Sequence, residues 1–143
     1  MRLMPTPENK TPWPEPPHKI LIVDDSPAVR EALRWALEDV SDLAVVAEAG
    51  DGVQALEWAT RLAPDVVILD IELPGADGYM VARSLKALPN PPLVIFLTIH
   101  SDQTSWRRSF EAGGDGFVEK GAGWLALIAQ IRRLLADRSK KSS

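Results

Sequence analysis

Residues 64–78 read Pro64-Asp-Val-Val-Ile-Leu-Asp70-Ile-Glu-Leu-Pro74-Gly-Ala-Asp-Gly78. The run Val66–Leu69 is apolar without alternation, as expected of a strand covered on both faces, and it ends abruptly on Asp70. Working outward, similar runs recur at Ile20–Val23, Leu43–Ala47, Leu93–Leu97 and Phe117–Val118. Between them apolar residues fall three or four apart: Val29, Leu33, Ala36, Leu37, Val40; then Val53, Leu56, Ala59, Leu62; and finally Leu127, Ile131, Leu134, Leu135. Ser26 before Pro27 is an N-cap with proline at the first helical position. Asp77 or Gly78 opens the third helix, and Ser101 with Asp102 opens the fourth. Pro64 and the prolines from Pro89 to Pro92 close helices two and three. Five strand–helix units in a row imply a parallel sheet with right-handed crossovers and helices on both faces. Ligands of such sheets sit at the carboxyl ends of the strands.

At 143 residues, with 45% hydrophobic and 25% charged, the chain fits one globular domain. It has no cysteine, which excludes disulfides, thiolate zinc and a Cys nucleophile and fits a reducing, cytoplasmic setting. A formal net charge of -4 without a basic stripe argues against direct nucleic-acid binding. No apolar run approaches a membrane span, and no apolar segment follows Arg2 as in a secretory signal. Residues 1–18 hold Pro5, Pro7, Pro12, Pro14, Pro16 and Pro17 beside Trp13, and read as an extended, Pro-rich leader. The domain is expected over 19–137, with 138–143, including Arg138, Lys140 and Lys141, as a short polar tail.

The informative residues are those that end the strands. The first runs into Asp24-Asp25, the third into Asp70, the fourth ends at Thr98, and the fifth ends at Glu119-Lys120. In one parallel sheet these ends share a rim. Singly, each Asp could be a turn former or a cap, and Glu119 a solvated strand-end charge; their joint placement carries the argument. Adjacent carboxylates need a compensating cation, and an all-oxygen set with one or two carboxylates plus a phosphoryl oxygen suits Mg²⁺. Asp70 is the natural nucleophile for a phosphoryl group, Lys120 would attract the anion, and Thr98 could bond a phosphoryl oxygen.

Over Lys19 to Asp137 the sequence resembles the receiver domain of two-component response regulators. The resemblance rests on Ile20-Leu-Ile-Val-Asp24-Asp25-Ser-Pro27, on residues 64–78 quoted above, on Thr98, and on Ala112-Gly-Gly-Asp-Gly-Phe117-Val-Glu-Lys120. It implies a flavodoxin-like (βα)5 fold with strand order 2-1-3-4-5. It implies Asp70 as phospho-acceptor, with Asp25, Asp70 and the Glu72 carbonyl holding Mg²⁺ and Asp24 acting through a water. Thr98 and Lys120 would hold the phosphoryl group, and Phe117 would be the aromatic switch partner of Thr98. The donor would be a sensor histidine kinase or a histidine phosphotransfer protein. Val45-Val-Ala-Glu-Ala-Gly-Asp-Gly52, with Lys120-Gly-Ala, is similar to the branch usually fused to a helix-turn-helix output; with about six residues after Asp137, no such domain is expected in this chain.

Signalling in the family passes through the face of the fourth helix, fifth strand and fifth helix. Here that face should include Trp106, Arg107, Arg108, Phe117 and Trp124, and could serve a downstream protein or a homodimer. Trp35 and Trp58 are expected to pack partly into the core. The chain departs from the family in having Gly121 where proline is frequent, which predicts a trans Lys120–Gly121 peptide. Leu73 replaces a frequent Met, a volume-conserving change. Ile99 stands where a small residue is usual, and its bulk is expected to shield the phosphoryl group. Two rival readings are a pseudo-receiver that binds protein without phosphorylation, and an α/β phosphatase or nucleotide-binding enzyme. The enzyme reading lacks a Gly-rich phosphate loop after the first strand, and Glu72 fits poorly as a general acid.

Overall fold

A computed structural model describes residues 15–99 and 102–142. The leader up to residue 14, and Ser101 as a cap, lie outside them. Five strands alternate with five helices: β1 (His18–Val23), α1 (Pro27–Glu38), β2 (Leu43–Ala49), α2 (Gly52–Leu62) and β3 (Val66–Asp70) come first. A two-residue hairpin, β4 (Glu72–Leu73) and β5 (Ala76–Asp77), leads into α3 (Gly78–Lys86). Then follow β6 (Leu93–Thr98), α4 (Gln103–Glu111), β7 (Gly116–Glu119), a 3₁₀ turn over Lys120–Ala122, and α5 (Trp124–Ser142). The main sheet is wholly parallel with order β2-β1-β3-β6-β7, which is the expected 2-1-3-4-5.

The unalternating apolar runs have a direct physical cause. Successive side chains of a strand point to opposite faces, and both faces of this sheet are covered. Ile20, Ile22, Val66, Ile68, Ile95 and Leu97 pack with Leu33 and Leu37 of α1 and Leu127 and Ile131 of α5. Leu21, Val23, Val67, Leu69, Val94 and Phe96 pack instead with α2 and α3, through Ala55, Ala59, Ala82 and Leu85.

Helix starts follow the caps. Ser26 accepts from the Val29 N–H, Asp51 from Gln54, Asp77 from Tyr79 and Asp102 from Ser105. Each satisfies a donor that the first turn leaves orphaned. The stretch expected as a polar tail continues α5 as far as Ser142. The reason is the apolar stripe Leu127–Ile131–Leu135 beneath it, beyond which Arg138 Nη1 donates to the Asp65 carbonyl at 3.2 Å. The expectation for Trp35 is corrected: it is 65% exposed, because its position on α1 turns away from the Leu33–Leu37 face. Trp58 is 36% exposed and so covered over most of its surface. No helix among the described residues is long and apolar enough to cross a membrane.

Candidate functional site

Strand register assembles the site. Val23 pairs with Leu69, so Asp24 and Asp70 leave neighbouring strands at the same level. Asp70 pairs with Leu97, putting Thr98 one step further along β6. Thr98 pairs with Glu119, putting Lys120 one step beyond β7. Carboxylate oxygens of Asp24, Asp25 and Asp70 all lie within 4.8 Å of one another. Lys120 Nζ sits 3.1 Å from Asp24 Oδ2 and 3.5 Å from Asp70 Oδ2. Asp24, Asp70 and Thr98 are buried, whereas Asp25 is exposed at the mouth of the cleft.

Local hydrogen bonds fix these side chains. Asp24 Oδ1 accepts from the Ser26 N–H at 2.9 Å, and Asp70 Oδ1 from the Glu72 N–H at 3.1 Å. The turn after Asp70 closes tightly: the Gly78 N–H donates to the Ile71 carbonyl at 3.1 Å. A Cβ at Gly78 would lie 2.5 Å from that carbonyl oxygen, so only glycine fits. The Lys120–Gly121 peptide is trans, as expected.

The electrostatics are those of a charged cleft under partial burial. Burial pushes the Asp70 carboxyl above its usual range, and the neighbouring Asp24 charge adds to it; the Glu72 N–H and Lys120 pull the other way without prevailing. For Lys120, burial alone would lower the pKa, but Asp24 and Asp70 outweigh it and the net direction is upward. Asp24 Oδ2 is buried with no hydrogen bond of good geometry, facing the Lys120 ammonium as an ion pair. An under-satisfied buried carboxylate oxygen beside two more carboxylates is a donor set that fits a hard divalent cation such as Mg²⁺.

A model of the response regulator receiver domain matches residues 20–132. The chain belongs to the response regulator receiver family. Response regulator UvrY of Escherichia coli (strain K12) is 34% identical over 119 residues, 83% of this chain and 55% of that protein. This receiver chain therefore spans about half the length of the curated relatives it matches. A LuxR-family response regulator from Aurantimonas sp. SI85-9A1 superposes with a TM-score of 0.80 at 33% identity, covering 85% of this chain and 86% of that one. The signal receiver domain of the putative response regulator NarL from Mycobacterium tuberculosis does so with 0.76 at 29%, covering 88% and 98%. The fold of the receiver is the flavodoxin-like one expected from sequence.

The aromatic and basic residues named from sequence have surroundings of their own. Phe117 of β7 is half-buried against the α2/α3 side of the sheet, and its N–H donates to Gln130 Oε1 at 2.8 Å. Trp106 is 51% exposed and meets Phe110 edge-to-face at 4.7 Å, whereas Trp124 packs on the α1/α5 core. Arg108 stacks over the Tyr79 ring at 4.5 Å, tying α4 to α3. Reading the sequence alone missed Arg30, whose Nη1 donates to the Asp24 carbonyl at 2.6 Å, and Glu48, which accepts from Arg30 and Arg34. Their only sequence signal was a polar face on α1 opposite an acid on an edge strand.

Proposed function

We propose that this receiver is a phosphorylation switch that takes a phosphoryl group on Asp70 from a histidine kinase or phosphotransfer protein. The observation that supports it is the meeting of Asp24, Asp25 and Asp70 with Lys120 at one strand-end rim. An Asp70 carboxylate oxygen attacks phosphorus; the O–P bond forms as the donor's N–P bond breaks, and the electron pair returns to the imidazole, which takes up a proton. Asp25, Asp70 and the Glu72 carbonyl would hold Mg²⁺, with Asp24 acting through a water. When bound, the metal neutralises charge between the carboxylates and the phosphoryl oxygens.

Lys120 and Thr98 then serve the product. The ammonium already faces Asp70 and can pair with a phosphoryl oxygen, and the Thr98 hydroxyl bonds another. Phosphorylation adds close to two negative charges, so both groups are drawn toward Asp70. The motion of Thr98 vacates space into which the half-buried Phe117 ring can turn. The α4–β7–α5 face, with Trp106 and Arg107 outward, passes the change to a downstream protein or a second copy.

The test is incubation with a small phosphodonor and Mg²⁺, followed by intact-protein mass spectrometry. Wild type should gain one phosphoryl group and Asp70→Asn none. A wild type that stays unmodified, both with the small donor and with phosphohistidine donors, would leave the pseudo-receiver reading standing instead.

A further inference from the structure

Asp24 is the first residue after β1, and its carbonyl lies beyond the last pair of that strand with β2, Val23 with Ala49. What satisfies it comes from α1. Arg30 Nη1 donates to that oxygen at 2.6 Å, while Arg30 Nε donates to Glu48 Oε1 at 3.3 Å. The Glu48 carboxylate is held in turn by Arg34 Nη1 at 2.9 Å. Arg30 and Glu48 are mostly buried, with side chains 21% and 26% exposed, so this contact is screened less than a surface pair. Among the described residues, the other contacts that hold Asp24 are its N–H on the Ala49 carbonyl, the Ser26 N–H on its Oδ1 and the Lys120 ammonium beside its Oδ2. None of these holds the peptide plane between the two acids. Arg30 does.

We infer that Arg30, oriented by Glu48, is a positioning residue for the Asp24–Asp25 acid pair: it fixes the peptide that joins them so that both carboxylates point into the cleft. The inference rests on the reading of this cleft as the Mg²⁺ and phosphoryl site. Arg30 touches a backbone carbonyl and no reacting atom. Its contribution is geometric, and geometry and charge here predict opposite signs. As a cation near three carboxylates, Arg30 by its charge alone weakens the pull on Mg²⁺, so its removal would tighten metal binding. As a clamp on the ligand loop it strengthens binding, and groups that orient metal ligands typically matter by roughly 10–100-fold.

Mg²⁺ titrations of the full chain by isothermal calorimetry separate the two. Arg30→Gln should bind Mg²⁺ about tenfold more weakly than wild type, with Arg30→Lys between them because its ammonium can still donate to the Asp24 carbonyl but lacks the two-armed grip that Glu48 orients. Glu48→Gln keeps Arg30 but loosens its orientation, and should weaken binding by a smaller factor. It also serves if Arg30→Gln fails to fold. Arg34→Gln, which meets the same glutamate and not Asp24, should weaken binding by less than Glu48→Gln does. Equal or tighter Mg²⁺ binding by folded Arg30→Gln, or an equal loss in Arg34→Gln, overturns the inference while leaving the site reading intact. A wild type that takes up no Mg²⁺ overturns both.

Discussion

At Asp70 the fold holds a carboxylate where its charge is costly, since burial and the Asp24 charge both favour the protonated form. With a folded pKa above the unfolded value, the native state binds the extra proton. Stability from this group therefore falls as pH rises from the unfolded pKa through the folded one. Asp70→Asn should abolish that slope and raise metal-free stability at neutral pH, on the order of 1 kcal/mol after allowing for solvent at the open cleft. Urea denaturation of both proteins across the acid range measures it, and a variant no more stable than wild type would contradict the account. Lys120 depends on pH in the same direction, although here the charged form is the one the fold favours. Its raised pKa means its pairing is intact below the unfolded value and is lost as alkaline pH passes through the folded one. Ile99, 61% exposed just past Thr98, stands at the same rim. Ile99→Ala should shorten the phosphoryl half-life severalfold by admitting water; an unchanged half-life removes the shielding role.

Elements carry their own strains. Helix α2 ends at Ala63 with φ 46°, the one left-handed residue other than glycine among those described. A Cβ costs roughly 1–2 kcal/mol there, and part of the gain from removing it is lost to the greater freedom of glycine in the unfolded chain. Ala63→Gly should therefore stabilise the protein by about 0.5–1 kcal/mol in chemical denaturation. Gly78→Ala should do the reverse, destabilising by about 1–3 kcal/mol, because the new methyl meets the Ile71 backbone rather than a movable side chain. Edge strand β7 is protected differently. Gln130 of α5 both accepts from the Phe117 N–H and reaches its carbonyl, covering part of an otherwise open edge. It fits because residue 116 is glycine: a Cβ there would lie 2.0 Å from Gln130 Oε1.

For the whole molecule, the two ends of the sheet differ in kind. At the carboxyl ends the charges converge without full satisfaction. At the opposite end of the sheet Lys86 Nζ closes a pair with Asp115 at 2.8 Å, which joins α3 to the loop before β7. Arg132 of α5 on Asp42 holds that carboxyl below the usual carboxylate range. A molecule built this way should signal by rearranging the rim and the α4–β7–α5 face while its core stays fixed. Trp106→Ala should accordingly take up phosphate as wild type does, yet lose any phosphorylation-dependent association seen by size-exclusion chromatography. A variant that still associates on phosphorylation would move the output surface elsewhere.

Apolar runs, three stretches of helical period and the cap residues before the third and fourth helices were enough for the parallel sheet and its five helices, since a strand covered on both faces must be apolar at every position and caps must precede helices. They also put Asp24, Asp25, Asp70, Thr98 and Lys120 at strand ends, because each apolar run stops where the sheet meets water. Packing between elements was not legible in that way. Nothing local extends α5 through Arg138, or brings Arg30 onto both the Asp24 carbonyl and Glu48, 18 residues away. Those outcomes depend on how helices rotate against the sheet, and a side chain's partner across such a contact is set by register and crossing geometry that only the assembled chain possesses.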